Sequence, residues 1–211
     1  MTFSWRTFAA GAALILASCG NVQNDDSVTA QIRARLEARK QAPAAVPDIA
    51  ALRAQLTPEV IAQIGGPILI VQTPSRDAVA VLNRVGTNNG VETFLTPDGV
   101  AISLRDGMVI ATRGLGFDLM TADVAEPLLA LKGSGDTAVR IHRYLDGENQ
   151  IVAKSFTCAY AVTGSLRVAE TCTSSLDSFE NSYVLDASGN IVSSRQWVSP
   201  QIGVVLIERY D

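Results

Sequence analysis

From Pro67 to the C-terminus the apolar residues recur with a period of two, and turn-forming dipeptides break the pattern at short intervals. This restricts the chain more than any other feature, because alternation puts successive side chains on opposite faces of a strand and the turn residues bound each strand. In residues 100–105, Val100, Ile102 and Leu104 share one face while Ala101, Ser103 and Arg105 share the other, as in an antiparallel strand with one buried and one wet face. Asn89-Gly90, Asp98-Gly99, Asp106-Gly107, Asp146-Gly147, Thr163-Gly164 and Ser188-Gly189-Asn190 offer positive-φ residues to hairpin turns. The pattern predicts strands at 68–73, 77–86, 91–96, 100–105, 108–113, 137–145, 150–162, 166–173, 179–186, 190–198 and 202–210. Residues 124–131 interrupt it, with Pro127 limiting any helix there. An open sheet of so many strands would expose long edges, so the expected fold is mainly β, an antiparallel meander forming a barrel-like or sandwich-like domain over residues 67–211. A membrane-spanning barrel would need apolar outer faces about ten residues long with aromatic girdles. Aromatic residues make up only 6% of this chain, and several strands are too short.

Ahead of this domain the period is helical. Ser27 caps a stretch with Val28, Ile32 and Leu36 on one stripe, and residues 41–47 (QAPAAVP) interrupt it. Two short helices are expected at 48–56 and 58–64, the second with Thr57 as N-cap, Pro58 at its first position and Gly65 ending it, so that residues 27–66 form a helical segment. Residues 19–26 lack periodicity and suit a flexible tether.

The first eighteen residues are a targeting segment, with Arg6 in the n-region and residues 8–16 (FAAGAALIL) as a short apolar run. A permanent membrane helix needs about 20 apolar residues. Leu16-Ala17-Ser18-Cys19 resembles the lipobox recognised by lipoprotein signal peptidase, which implies cleavage before Cys19, acyl chains on that residue and a membrane as partner. Gly20 is not the aspartate that commonly retains lipoproteins at the inner membrane, so the expected location is the periplasmic face of the outer membrane. Cys158 and Cys172 then remain in an oxidising compartment, where an even remainder is expected to form a disulfide. Their spacing matches no zinc pattern, and only His142 could join them as a ligand. An even separation requires a regular hairpin that pairs them directly to have an odd-numbered loop, for example Gly164-Ser165-Leu166. Without Arg6 the mature chain has 16 basic against 21 acidic residues, a net charge of −5, which makes nucleic acid an improbable partner.

His142, the one histidine, shares a strand face with Arg140 and Tyr144 and is expected on the solvated surface. No Ser-His-Asp or Cys-His constellation can be built without it. Asp98, Asp106, Asp118 and Asp123 have the chemistry of a glycosidase pair, yet Asp98 and Asp106 sit in turns where aspartate supports the backbone. Gly114-Leu115-Gly116 lacks the third glycine of a dinucleotide fingerprint and reads as a tight bend. Trp197 with Arg195, and Tyr183 with Asn181, could stack on and hydrogen-bond to sugars, although alternation favours core packing for both aromatics. No catalytic set, cofactor or metal site is assigned.

Three segments, residues 112–120 (TRGLGFDLM), 179–186 (FENSYVLD) and 196–200 (QWVSP), behind a lipobox, resemble the YjbF/GfcB family of lipoproteins encoded in capsule and exopolysaccharide operons. The resemblance implies a β-rich periplasmic domain without known catalytic residues, working beside polysaccharide or other export-operon proteins. It makes Arg113, Asp118, Asn181 and Trp197 candidate binding residues. Phe94 departs from the tryptophan often found in relatives, so no binding role passes to it. The function expected is non-enzymatic assistance of polysaccharide secretion. The alternatives are a polysaccharide-modifying enzyme with clustered carboxylates and a lipid or lipoprotein carrier with a large apolar cavity.

Overall fold

A computed structural model describes residues 48–211. The leader, the lipobox, the tether and the stripe from Val28 to Leu36 lie outside the described residues. Asp48 caps the first helix, α1 (Ile49–Gln55), by accepting from the Ala50 amide at 3.0 Å. Thr57 caps α2 (Pro58–Ile64), which ends at Gly65 with φ 77°, as the sequence predicts. No helix among the described residues is long and apolar enough to cross a membrane.

Twelve strands follow in one antiparallel sheet. They are β1 (Ile68–Thr73), β2 (Ala78–Asn88), β3 (Val91–Leu95), β4 (Ala101–Arg105), β5 (Met108–Arg113), β6 (Thr121–Asp123), β7 (Thr137–Leu145), β8 (Ile151–Gly164), β9 (Arg167–Thr173), β10 (Ser178–Leu185), β11 (Ile191–Ser199) and β12 (Gly203–Tyr210). Between β6 and β7 lies α3 (Ala125–Leu131). Pro127 falls in the first turn of α3, where its missing N–H has no helical partner to lose. The sequence pattern misses only β6, which is too short to show a period.

The spatial order is β5-β4-β3-β2-β1-β12-β11-β10-β9-β8-β7-β6. Every strand except β5 therefore neighbours the next one in sequence, the first pairs with the last, and the single seam of a nearly closed barrel lies between the consecutive strands β5 and β6. Three devices cover the seam. The Thr112 amide donates to Leu119 O at 2.9 Å, tying the β5–β6 loop back onto β5. The Gln196 side chain accepts from the Val109 amide at 2.8 Å and donates to Gly107 O at 2.9 Å, so an amide from across the barrel occupies backbone groups of edge strand β5. In α3, Glu126 accepts from the Val139 amide of β7 at 2.8 Å, while Leu128 and Leu131 join the main core. Gly107, at φ 82°, has no room for a side chain: a Cβ there would stand 2.6 Å from Ile191 Cβ.

The interior is filled. Leu69, Leu82, Phe94, Met108 and Val205 belong to the larger apolar cluster, and Phe156, Phe179 and the disulfide form a second one. Cys158 and Cys172 stand directly opposite on β8 and β9 with S–S 2.05 Å. The odd-numbered loop expected for a regular hairpin is not used. The register shifts between Val162 and Gly164, so a bulge absorbs one residue and a two-residue turn, Ser165-Leu166, suffices, with Leu166 at φ 59°.

Candidate functional site

Residues that alternate with Cys158 and Cys172 point into the barrel, and this parity carries polar groups inside. Arg140 on β7 donates from Nη1 to both oxygens of Glu170 on β9, at 2.9 and 2.7 Å. Glu170 also accepts from Tyr160 Oη at 2.5 Å, from Tyr183 Oη at 2.6 Å and from Asn181 Nδ2 at 2.6 Å. Burial acts to raise the Glu170 pKa, but Arg140 and these three donors outweigh it and hold the carboxyl below its ordinary range. Burial likewise opposes the Arg140 charge, and Tyr183 and Glu170 overcome it. The carboxylate is thus ionised and enclosed, with no free position from which to take a substrate proton. Asn181, a candidate sugar contact, belongs to this network. Its remaining oxygen accepts the Trp197 amide at 2.7 Å, beyond the point where the β10–β11 ladder stops at Ser182 and Arg195. Cys158, Glu170 and Cys172 bring three metal-type donors together, but the sulfurs are bonded to each other and the carboxylate is fully engaged.

His142 corrects the surface expectation. It does share a face with Arg140 and Tyr144, but that face is the interior, and the residue is 0% exposed. Tyr144 Oη donates to Val198 O at 2.6 Å and so accepts the hydrogen bond from His142 Nδ1–H at 3.0 Å, which leaves Nε2 as an unprotonated acceptor without a partner among the described residues. Burial, and then the Arg140 charge, hold the imidazole pKa well below its usual value. A neutral, enclosed ring packed on Phe179 and Trp197 fits a structural role.

Two grooves open at the barrel end that carries the β7–β8 and β11–β12 turns. The first, of about 600 Å³, is lined by Arg113, Phe117, Met120, Tyr144, Lys154 and Pro200 among others. Arg113 and Asp118, both singled out by the resemblance, shape the loop bordering it. Asp118 accepts from Thr112 Oγ1 at 2.8 Å and from the amides of Gly114 and Leu115 at 3.0 and 3.1 Å. Arg113 Nη1 donates to the carbonyls of Thr112 and Leu119, at 2.5 and 3.1 Å. Gly114 and Gly116 have φ near 86° and 88°, as the tight bend requires. Lys154 is paired with Asp177 at 2.6 Å, which leaves exposed Phe117 as the prominent feature of the groove.

The second groove, of about 590 Å³, is lined by Trp197, Phe179, Arg195, Glu180, Thr171 and Ser178 among others. The turn after β11 separates the two grooves, with Pro200 and Gln201 on one side and Ile202 and Gly203 on the other. It is anchored from both sides, since Ser199 Oγ donates to Phe117 O at 2.8 Å and Ser75 Oγ to Ile202 O at 2.6 Å. Of the four aspartates considered for catalysis, only Asp118 lines either mouth groove. Asp106 borders a third groove, and Asp123 accepts the Ala125 amide at the start of α3. Phe94 is fully buried, with the Arg209 guanidinium 5.8 Å from its ring centroid.

Comparison with known proteins fits this geometry. The family model described as group 4 capsule polysaccharide lipoprotein gfcB, YjbF matches residues 41–209. Among solved structures, the hypothetical lipoprotein YmcC from Escherichia coli (K12) is similar in fold at TM-score 0.61 and 13% identity, over 77% of this chain and 92% of that one. Sequence comparison with curated proteins yields no match.

Proposed function

Because the chain belongs to the YjbF family of group 4 capsule polysaccharide lipoproteins, we propose that it is held by lipid on Cys19 at the periplasmic face of the outer membrane and assists capsule or exopolysaccharide secretion by binding, without turning over a substrate. The observation that carries this reading is that each of the three family-like segments contributes residues to one barrel mouth. Residues 112–120 shape the first groove, which Ser199 and Pro200 also line, while Phe179 and Trp197 line the second. Support also comes from the titratable groups of the interior. Arg140, Glu170, Tyr160 and Tyr183 are committed to one another, and Asp118 to its own loop. The lipid matters because tethering raises the effective concentration of a weak binder where export occurs.

Deletion of the gene should reduce secreted polysaccharide, and the wild-type chain should restore it. A Cys19→Ala form exported by a cleavable secretory leader should restore it poorly. Full complementation by that unanchored form would remove the membrane tether from the account, and unchanged secretion in the deletion strain would remove the export role.

A further inference from the structure

We propose that the groove walled by Trp197 is a subsite for a neutral sugar ring, stacked on the indole and hydrogen-bonded by Arg195 and Glu180. The proposal rests on the polysaccharide-binding reading above and assigns it a place and a ligand class.

The ring geometry comes first. Trp197 is parallel to Phe179 at 4.5 Å and 5°, and to His142 at 5.7 Å and 13°, while His142 and Phe179 are 5.8 Å apart. An indole sandwiched between two rings would hold them much farther apart than either contact. The short His142–Phe179 distance therefore excludes rings on opposite faces of the indole and puts Phe179 and His142 on the same side of Trp197. Phe156 and Tyr144 meet the indole edgewise, at 70° and 84°. Among the described residues the opposite indole face has no aromatic partner, and Trp197, only half-buried, forms part of the groove wall. A rigid aromatic face backed by two rings is a stacking platform whose orientation needs no ordering on binding.

The ring is aimed by the backbone. Because Asn181 Oδ1 takes the Trp197 amide, the β10–β11 ladder ends and β11 turns away from regular alternation, with a further register shift between Trp197 and Ser199. Asn181 is thus a positioning residue for the platform rather than a contact.

The polar rim supplies the ligand chemistry. Arg195 Nη1 donates to Glu180 O at 2.8 Å, which fixes the guanidinium beside the groove. Neither Arg195 nor Glu180 has an opposite charge within 4 Å among the described residues, so the remaining donors of the guanidinium and the carboxylate are not tied up in an ion pair. Thr171 and Ser178 add hydroxyls on the neighbouring strands. One cation and one anion give the rim no net charge. A hydroxyl both donates and accepts, and so pairs with guanidinium and carboxylate alike, whereas the attraction of a uronate or sulfate to Arg195 is offset by its repulsion from Glu180. The volume lies within the roughly 300–1,000 Å³ of small-molecule sites. In the first groove Arg113 is held by three backbone carbonyls and Lys154 by Asp177, whereas Arg195 makes a single backbone contact.

The test uses the full mature lipoprotein in detergent. The sequence has two tryptophans, and Trp5 leaves with the leader, so the emission of the mature protein comes from Trp197 alone. The probes are the producing cell's own polysaccharide and its partial acid hydrolysate, divided by anion exchange into neutral and acidic fragments. Neutral fragments should change the emission saturably. Trp197→Phe, followed by retention of the protein on immobilised polysaccharide, and Arg195→Gln, followed by emission, should each weaken binding at least tenfold at unchanged thermal stability. Arg195 is exposed, so its variant keeps the test open if Trp197→Phe fails to fold. Binding of intact polysaccharide that neither substitution affects overturns the subsite and leaves the binding reading standing. Preference for acidic fragments overturns the neutral assignment. Failure to bind any polysaccharide overturns both.

Discussion

Replacing Glu170 by glutamine should be among the most damaging single changes this domain can suffer, although side-chain shape is nearly preserved. Glu170 and Arg140 are 0% and 1% exposed, so the substitution leaves a guanidinium in the interior without its counter-charge. Removing one partner of a buried ion pair costs about 3–5 kcal/mol. For a domain of this size each kcal/mol corresponds to roughly 2–4 °C in Tm, giving a fall of roughly 6–20 °C. The attribution to charge is tested by a cycle with Arg140→Met. Each single variant should be severely destabilised, and the double variant should be more stable than the sum of the two losses by about 2–3 kcal/mol, because no uncompensated charge remains. Denaturant unfolding followed by circular dichroism gives the four stabilities. Single variants that lose under about 1 kcal/mol, or losses that add to within about 0.5 kcal/mol, would refute the reasoning.

Three further outcomes are expected. Reducing Cys158–Cys172, or replacing both cysteines by alanine, should lower stability by about 3 kcal/mol on the chain-entropy model for a loop of this length, measured by unfolding with and without reductant. Acid should destabilise the fold in two steps. His142 titrates below its unfolded pKa of about 6.5, so the unfolded chain binds the extra proton and stability is lost as pH falls below about 6.5, by up to about 1.4 kcal/mol per unit. Glu170, also depressed, contributes stability that is present above the ordinary carboxylate range and lost at lower pH, as the fall continues through its folded pKa. Thermal melts should therefore show a first acid limb that His142→Leu removes, and persistence of that limb in the variant would count against the assignment. Gln196→Leu should leave Gly107 O and the Val109 amide without partners and cost about 2–5 kcal/mol from two buried polar groups. Hydrogen exchange should then rise first in β5.

Most of the fold was legible because its strands announce themselves twice, by alternation and by the turns that bound them. Asn89-Gly90 and Asp106-Gly107 take positive φ as their residue types suggest, and the expected strand limits agree with the observed ones to within about two residues, the usual fraying of such boundaries. Alternation also placed Arg140, His142 and Tyr144 on one face. It could not say which face was inside, because hydrophobicity assigned the wet side to the polar residues, while a buried Arg140–Glu170 pair with its tyrosines reverses that sign. The signal that finds the answer was present in the cysteines. A disulfide between Cys158 and Cys172 points both strands' faces inward, and parity then carries Phe156, Tyr160 and Glu170 with them, and across the ladder Ala138, Arg140 and His142. The groove at Trp197 was half visible. The sequence shows the aromatic and Arg195, but the interruption of the β10–β11 ladder by Asn181 depends on contacts distant in sequence and leaves no local trace.

The barrel mouth is proposed to bind polysaccharide without changing it. The direct measurement incubates the purified lipoprotein with the producing cell's own polysaccharide and follows both the bound fraction and the chain length and composition of the polymer over time. Saturable binding is expected, with the polymer unaltered after prolonged incubation. Sustained release of shortened or modified chains, abolished in a folded Asp118→Asn or Asp146→Asn variant of the groove they both line, would contradict it and make the protein an enzyme.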